Sequence, residues 1–278
     1  MLRRNVLRFS LKSQGKKYFC SVLIRKRYFI QIAYDGSLYH GWQIQPNAIT
    51  VQELLDKAMS TVFRQPIETL GCGRTDAGVH AKDFYAHFDI VDADEMKVLS
   101  SIGGINALLP YQIAAKQIIP VHEDAHARFD ATSRAYEYYV HYEKDPFKLN
   151  RSWLVKDKLN VEAMNEAAAL LLNYTDFSCF SKSNTQTFTN NCKIVKAVFE
   201  EIDGGLVFTI QADRFLRNMV RAIMGTLVRI GKNEISLKDF ESIIESKNRS
   251  NAGQSVPACG LYLVKIEYAY VKMNRIRE

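Results

Sequence analysis

Apolar and polar positions alternate from Arg27 to Tyr34 (RYFIQIAY), the period-2 pattern of a half-buried strand, and the turn pair Asp35-Gly36 ends it. The period then changes. Val51, Leu54, Leu55, Ala58, Met59, Val62 and Phe63 recur at helical spacing behind Thr50 and Glu53, which read as a capping box, and Pro66 closes the segment. Strands are expected at Ile67 to Leu70 and Tyr85 to Ile90, then a helix around Ala93 to Leu108 and a strand from Gln112 to Val121. The order is β-α-β-β-α-β, the ferredoxin-like plan.

A second unit repeats that order without visible sequence repetition. Arg134 to Tyr142 reads as a strand, Asn160 caps a helix running through Leu172, and Lys193 to Ile202 forms a hairpin with Leu206 to Ala212 across Asp203-Gly204-Gly205. Helices from about Phe215 to Ile230 and from Ser236 to Ser246 precede a last strand, Leu261 to Tyr268. The expected class is mixed α/β (α+β). Two ferredoxin-like, RRM-like αβ subdomains, 27–123 and 124–278, build one mainly antiparallel sheet with helices on one face and a cleft on the other.

Within the first of these late helices, Leu216, Met219, Val220, Ile223, Met224 and Leu227 cluster on one face at 100° per residue. Arg214, Arg217 and Arg221 gather beside them, either as a solvated charged face or as a row of guanidiniums for phosphates.

Charge changes the picture less than its total suggests. The net charge is +7, but residues 1 to 27 hold nine of the 37 Lys and Arg and no acid, so the remainder carries 28 bases against 30 acids. RNA binding must therefore rest on local stripes. Residues 1–26 read as a basic extension outside the fold: a presequence, a disordered RNA-binding arm, or upstream codons behind a misplaced start. The last is preferred because Lys26-Arg27-Tyr28 begins a clean strand. No apolar run approaches the roughly 18 to 20 residues of a membrane span. Five scattered cysteines without C-x-x-C read as reduced thiols of a cytoplasmic protein, and the six histidines form no ligand-like pair, so no metal is expected.

The densest chemistry lies in GCGRTDAGVHA, Gly71 to Ala81, which holds three glycines, Arg74, Asp76 and His80. Such a loop can present a carboxylate beside a guanidinium, or it can be a tight turn in which Asp76 caps its own backbone. It fits neither G-x-G-x-x-G nor a P-loop.

GRTDAGVHA resembles the catalytic motif of the tRNA pseudouridine synthases, in particular of the pseudouridine synthase A family, in which its Asp is the essential residue. YDGSLYHGWQIQPNAITVQ (34–52), HARFDATSRAYEYYV (126–140), FLRNMVRAIMG (215–225) and VPACGLYLVKI (256–266) resemble the same family in the same order, so the likeness spans residues 27 to about 270. It implies the pseudouridine synthase fold, no cofactor, a homodimer, and isomerisation of uridine at positions 38, 39 and 40 in the anticodon arm of tRNA. Asp76 would be nucleophile or base, and Arg221 its partner, since an opposite charge at hydrogen-bond distance favours the carboxylate. Tyr136 would lie against the target base with Leu261 beneath it. Arg74 would intrude into the RNA to hold the flipped geometry, and Arg217 and Arg128 would bind substrate. His126, Asp35, Tyr39, His40, Trp42, Gln43 and Gln45 are lesser candidates. Ala135 departs from the family, where the position is often basic. A non-catalytic RNA-binding module, a synthase for another RNA and a nucleoside hydrolase are the alternatives.

Overall fold

The computed structural model describes residues 24–182 and 189–271. Residues 1–23, most of the basic extension, lie outside that range. Strand β1 (Arg25–Tyr34) starts two residues before the expected position, because Arg25 and Arg27 both pair with Asp89 on the neighbouring strand and hold its first turn of backbone in register.

Helix α1 (Val51–Phe63) buries Val51, Leu55, Ala58 and Met59. Thr50 Oγ1 accepts from Glu53 N at 3.4 Å, whereas the full reciprocal box forms at α6 (Leu237–Glu245), where Ser236 and Asp239 cap each other's backbone. Strand β2 is only Leu70–Gly71, and β3 runs His80–Val91. The single helix expected over 93–108 is two, α2 (Glu95–Leu99) and α3 (Ile102–Leu108). The Ser100 and Ser101 hydroxyls donate back to the carbonyls of Met96 (2.8 Å) and Val98 (2.7 Å) at the break, drawing off acceptors that a continuing helix would use.

The remaining elements are β4 (Ile113–Pro120), β5 (Ala131–His141), β6 (Trp153–Leu154), α4 (Val161–Leu170), β7 (Ile194–Ile202), β8 (Gly205–Ala212), α5 (Met219–Gly231) and β9 (Leu261–Tyr268). Helix α4 stops at Leu170 and tightens into a 3-10 turn over Leu171–Asn173.

The nine strands of the described residues form one sheet, ordered β4-β1-β3-β9-β5-β8-β7 with β2 on β3 and β6 on β5. Each half repeats the same ferredoxin-like order, and all pairings are antiparallel except β5–β6 and the seam between halves. There β3 and β9 run parallel through His80↔Tyr262 and Ala81↔Leu263. This is the mixed α/β class and mainly antiparallel sheet that the sequence leads one to expect.

Two apolar cores flank the seam. One packs Tyr28, Ile30, Leu55, Met59, Phe84 and Phe88; the other packs Tyr138, Phe208, Met219, Ile223 and Phe240. Strand β9 serves both, with Leu261 in the second and Leu263, Ile266 and Tyr268 in the first. Burying each such side chain contributes about 1.5–3 kcal/mol, which fastens the halves together. Among the described residues no helix is long and apolar enough to cross a membrane.

Candidate active site

The loop between β2 and β3 is held from both sides before Asp76 is reached. Cys72 N donates to Tyr85 O (2.7 Å), the Thr75 hydroxyl meets the buried Tyr34 hydroxyl at 2.9 Å, and Thr75 O accepts from Trp42 N at 3.3 Å. Gly78 N donates to Tyr39 O at 3.3 Å, closing the far side. Gly41 lies beneath at φ +89°, and a Cβ there would stand 2.3 Å from Thr75 O, so only glycine lets the first loop approach. Tyr39 and Trp42 are thus buried scaffolding at 6% and 3% exposure. His40, Gln43 and Gln45 are exposed, with Gln45 Nε2 donating to His40 O at 2.7 Å.

Arg221 reaches the loop from α5. Its Nη1 is 3.2 Å from Asp76 Oδ2 while its Nε donates to Val256 O at 2.8 Å. The planar guanidinium is therefore aimed by two acceptors on two different nitrogens, which a single ammonium would not be. The Val256 segment is itself fastened: Gly253 N donates to Thr226 Oγ1 (2.9 Å), Arg249 Nη2 to Ser255 Oγ (3.0 Å), and Asn218 Nδ2 to the same hydroxyl. A Cβ at Gly225 would lie 1.9 Å from Gln254 O, so this segment sits directly on α5. Asp76 remains one-third exposed, and its Oδ1 carries no hydrogen bond among the described residues.

Tyr136 of β5 is half-buried, touches both cores, and meets Phe215 edge-on at 5.2 Å. Burial raises its phenol above the ordinary value; the Arg134 guanidinium opposes the rise, and Cys72 and Asp76 add to it, which places the ring beside the Asp76 loop. Leu263 lies directly across from Tyr136, and Leu261, 6% exposed, lies across from Tyr138 on the same face. Since Tyr138 is packed with α5 in the second core, Tyr136 and the Asp76–Arg221 pair lie on the helix-bearing face of the sheet, whereas the sequence put the cleft on the face without helices. The bare face instead carries Lys82, Glu137, Tyr139 and Tyr262.

The arginine stripe is corrected. Helix α5 begins at Met219, after Asn218 at φ +65°, so Arg214 and Arg217 precede it. Asp213 Oδ1 takes the amides of Arg214 and Lys193, each at 2.7 Å, and Lys182 N donates to Arg217 O at 3.2 Å; these bonds bind the segment in a non-helical course. Arg217 is exposed, and no contact among the described residues brings it to Asp76. Arg74 and Arg128 are exposed also. Burial, with Arg74, Arg134 and Arg214 nearby, pulls the Arg128 guanidinium below its usual value, so four arginines share one local field beside the loop.

Residues 167–269 match the family model described as tRNA pseudouridine synthase. The tRNA pseudouridine synthase A of Bacteroides fragilis is 50% identical over 244 residues, covering 87% of this chain and 96% of the relative. This chain belongs to the tRNA pseudouridine synthase A family. The synthase A of Porphyromonas gingivalis is likewise 50% identical (87% and 97% covered), and that of Thermosipho melanesiensis is 38% identical over 242 residues (87% and 99% covered).

Two side chains of this synthase A chain matter more than their sequence context indicates. Arg134 donates to four backbone carbonyls, those of Ala131, Asp213, Cys72 and Arg128, and so laces the Asp76 loop to the strand that carries Tyr136. His80 closes the same loop. Its Nε2 faces the carbonyls of Asn150 (3.0 Å) and Cys259 (3.2 Å) and so carries a proton toward them, while its Nδ1 lies 3.1 Å from both Gly36 N and Asp35 Oδ1. Burial lowers its pKa, and its ring stacks on Tyr262 at 4.4 Å. Asp35 completes this clamp by binding Ser37 and Arg151. Burial raises its pKa, and the Ser37 bonds, His80 and Arg151 together outweigh that and lower it. The one available signal was position: His80 ends the GRTDAGVH run and Arg134 opens R-x-Y.

Proposed function

We propose that this chain isomerises uridine to pseudouridine at positions 38, 39 and 40 in the anticodon arm of tRNA, with Asp76 as the reacting carboxylate and without a cofactor. The observation that carries this reading is the state of Asp76: Oδ2 is held by Arg221, while Oδ1 carries no hydrogen bond among the described residues and the side chain is one-third exposed. The reaction breaks the bond from uracil N1 to the ribose, turns the base over, joins C5 to the same ribose carbon and releases the C5 proton. A carboxylate serves that sequence either as nucleophile, on ribose or base, or as the base that takes a ribose proton. Both routes begin at one free oxygen on a fixed side chain. Arg221 holds the other and offers its positive charge wherever negative charge develops.

A stacked uridine must first leave its helix, at a cost of a few kcal/mol. Tyr136 gives an aromatic wall for the extruded base, with Leu263 and Leu261 along the neighbouring strand. Arg74, exposed at the loop tip two residues before Asp76, is placed to enter the space the base vacates, and Arg128 and Arg214 to meet phosphates. Arg217 extends the basic rim. We place the protein in the cytoplasm as a homodimer; Phe147 and Leu149, 84% and 72% exposed, are apolar surface that a second copy would cover. Light scattering measures that stoichiometry.

Release of tritium from tRNA labelled at uracil C5 tests the reading, since the new carbon bond expels that hydrogen. The wild-type protein should release it and Asp76→Asn should not, while both unfold alike. Release by Asp76→Asn at the wild-type rate would remove Asp76 from the chemistry. Absence of release from both would remove the reaction itself.

A further inference from the structure

Phe129 is a large aromatic side chain left 74% exposed, and it is held there by a dense local structure. The His126 Nδ1 accepts from Arg128 N (3.1 Å) and Phe129 N (3.2 Å), and the His126 ring lies 4.2 Å from the Phe129 ring. Asp130 Oδ2 accepts from His126 N and from the Tyr270 hydroxyl, both at 2.7 Å. The turn is also docked on the sheet: Ala127 N donates to His87 Nδ1 (3.1 Å), and Ala127 O accepts from the Tyr268 hydroxyl (2.6 Å). The turn that presents this ring is thus fixed both by its own hydrogen bonds and by its contacts with β3 and β9.

Its surroundings say what it faces. The Arg128 guanidinium lies 5.6 Å from the ring centroid, and Arg134 Nη2 donates to both Arg128 O (2.7 Å) and Cys72 O (3.2 Å), which ties this turn to the base of the Asp76 loop. A flat apolar face bordered by an exposed guanidinium that makes no ion pair among the described residues is the chemistry that takes an unstacked nucleobase together with its phosphate. We propose that Phe129 is a stacking platform for a base of the substrate RNA next to the target uridine. The target itself is given to Tyr136, so Phe129 takes a nucleotide flanking it, and it acts in binding and positioning and not in bond making. This rests on the reading that the cleft binds RNA for uridine isomerisation.

The experiment compares wild type, Phe129→Ala, Phe129→Leu and Phe129→Tyr on C5-tritiated tRNA and on the same tRNA made abasic at the nucleotide on either side of the target. Phe129→Ala should weaken tRNA binding on the order of 10-fold, the scale of one base–aromatic stack. Phe129→Leu should match Phe129→Ala despite its apolar volume, and Phe129→Tyr should restore wild-type binding. On the tRNA lacking the stacked base, wild type and Phe129→Ala should bind equally. Equal sensitivity of wild type and Phe129→Ala to both abasic substitutions, or full rescue by leucine, would overturn the platform while leaving synthase activity intact. Loss of tritium release from wild type would instead overturn the reading of the whole site.

Discussion

Asp56 is a carboxylate in α1 that the fold holds at an unfavourable place, and the consequence can be worked out. Its Oδ1 accepts from Thr69 N (3.0 Å) and Thr69 Oγ1 (2.6 Å), fixing the segment that becomes β2 and then the Asp76 loop. Burial raises its pKa from 3.8 to about 6, against the lowering effect of the Thr69 bonds. An acid whose folded pKa is raised holds its proton more tightly in the native state than in the unfolded chain. Stability is therefore highest below the unfolded value and falls as pH rises between about 4 and 6, after which the loss is constant. A difference of about 2 pKa units corresponds to about 3 kcal/mol at neutral pH. Asp56→Asn keeps an acceptor for Thr69 without the charge. In urea unfolding, the variant should gain on wild type by about 2 kcal/mol between pH 4.5 and 7.5. A difference independent of pH would refute the assignment of a buried, reluctant carboxylate.

His87 slopes the other way, so only such difference measurements are informative. Burial, with Arg27 and His126 nearby, lowers its pKa from 6.5 to about 4. Its contribution is thus complete above pH 6.5 and lost toward pH 4, by up to about 3 kcal/mol, and His87→Gln should abolish that loss in the same unfolding assay. Arg221→Lys keeps the charge but cannot serve Val256 O and Asp76 together. It should lower kcat roughly 10²-fold with little change in KM, as small misplacements of reacting groups do. Gly41→Ala sets a Cβ against Thr75 O at a positive φ; it should cost about 1–3 kcal/mol and lower tritium release, both absent for a surface Gly103→Ala control.

Local pattern was enough for much of the frame. Helix α1, the β7–β8 hairpin and the alternation of β1 are written in adjacent residues, and the structure has them close to where periodicity puts them. The misplaced starts and stops have side-chain causes that periodicity does not carry. Asp213 and Asn218 delay α5 to Met219, and Ser100 and Ser101 split α2 from α3. In the site, the chain offered three arginines at helical spacing for Asp76, and likeness to relatives singled out Arg221; the contact depends on how the 249–256 segment lies on α5. That Leu263 and not Leu261 faces Tyr136 is a matter of register between strands more than 100 residues apart, with a bulge between Ala135 and Tyr136, and no local signal encodes it. Arg134 acts through backbone carbonyls and His80 largely through backbone groups of three separate segments, whose positions exist only once the fold does.

Strand β9 is the last strand among the described residues and lies in the middle of the sheet, with Leu263, Ile266 and Tyr268 completing the core of the half made first. A chain ending before it would expose the edge of β3 and leave that core short of three side chains. During synthesis, then, the seam beside the Asp76 loop cannot close until the chain has been made through β9, nearly 200 residues after Asp76.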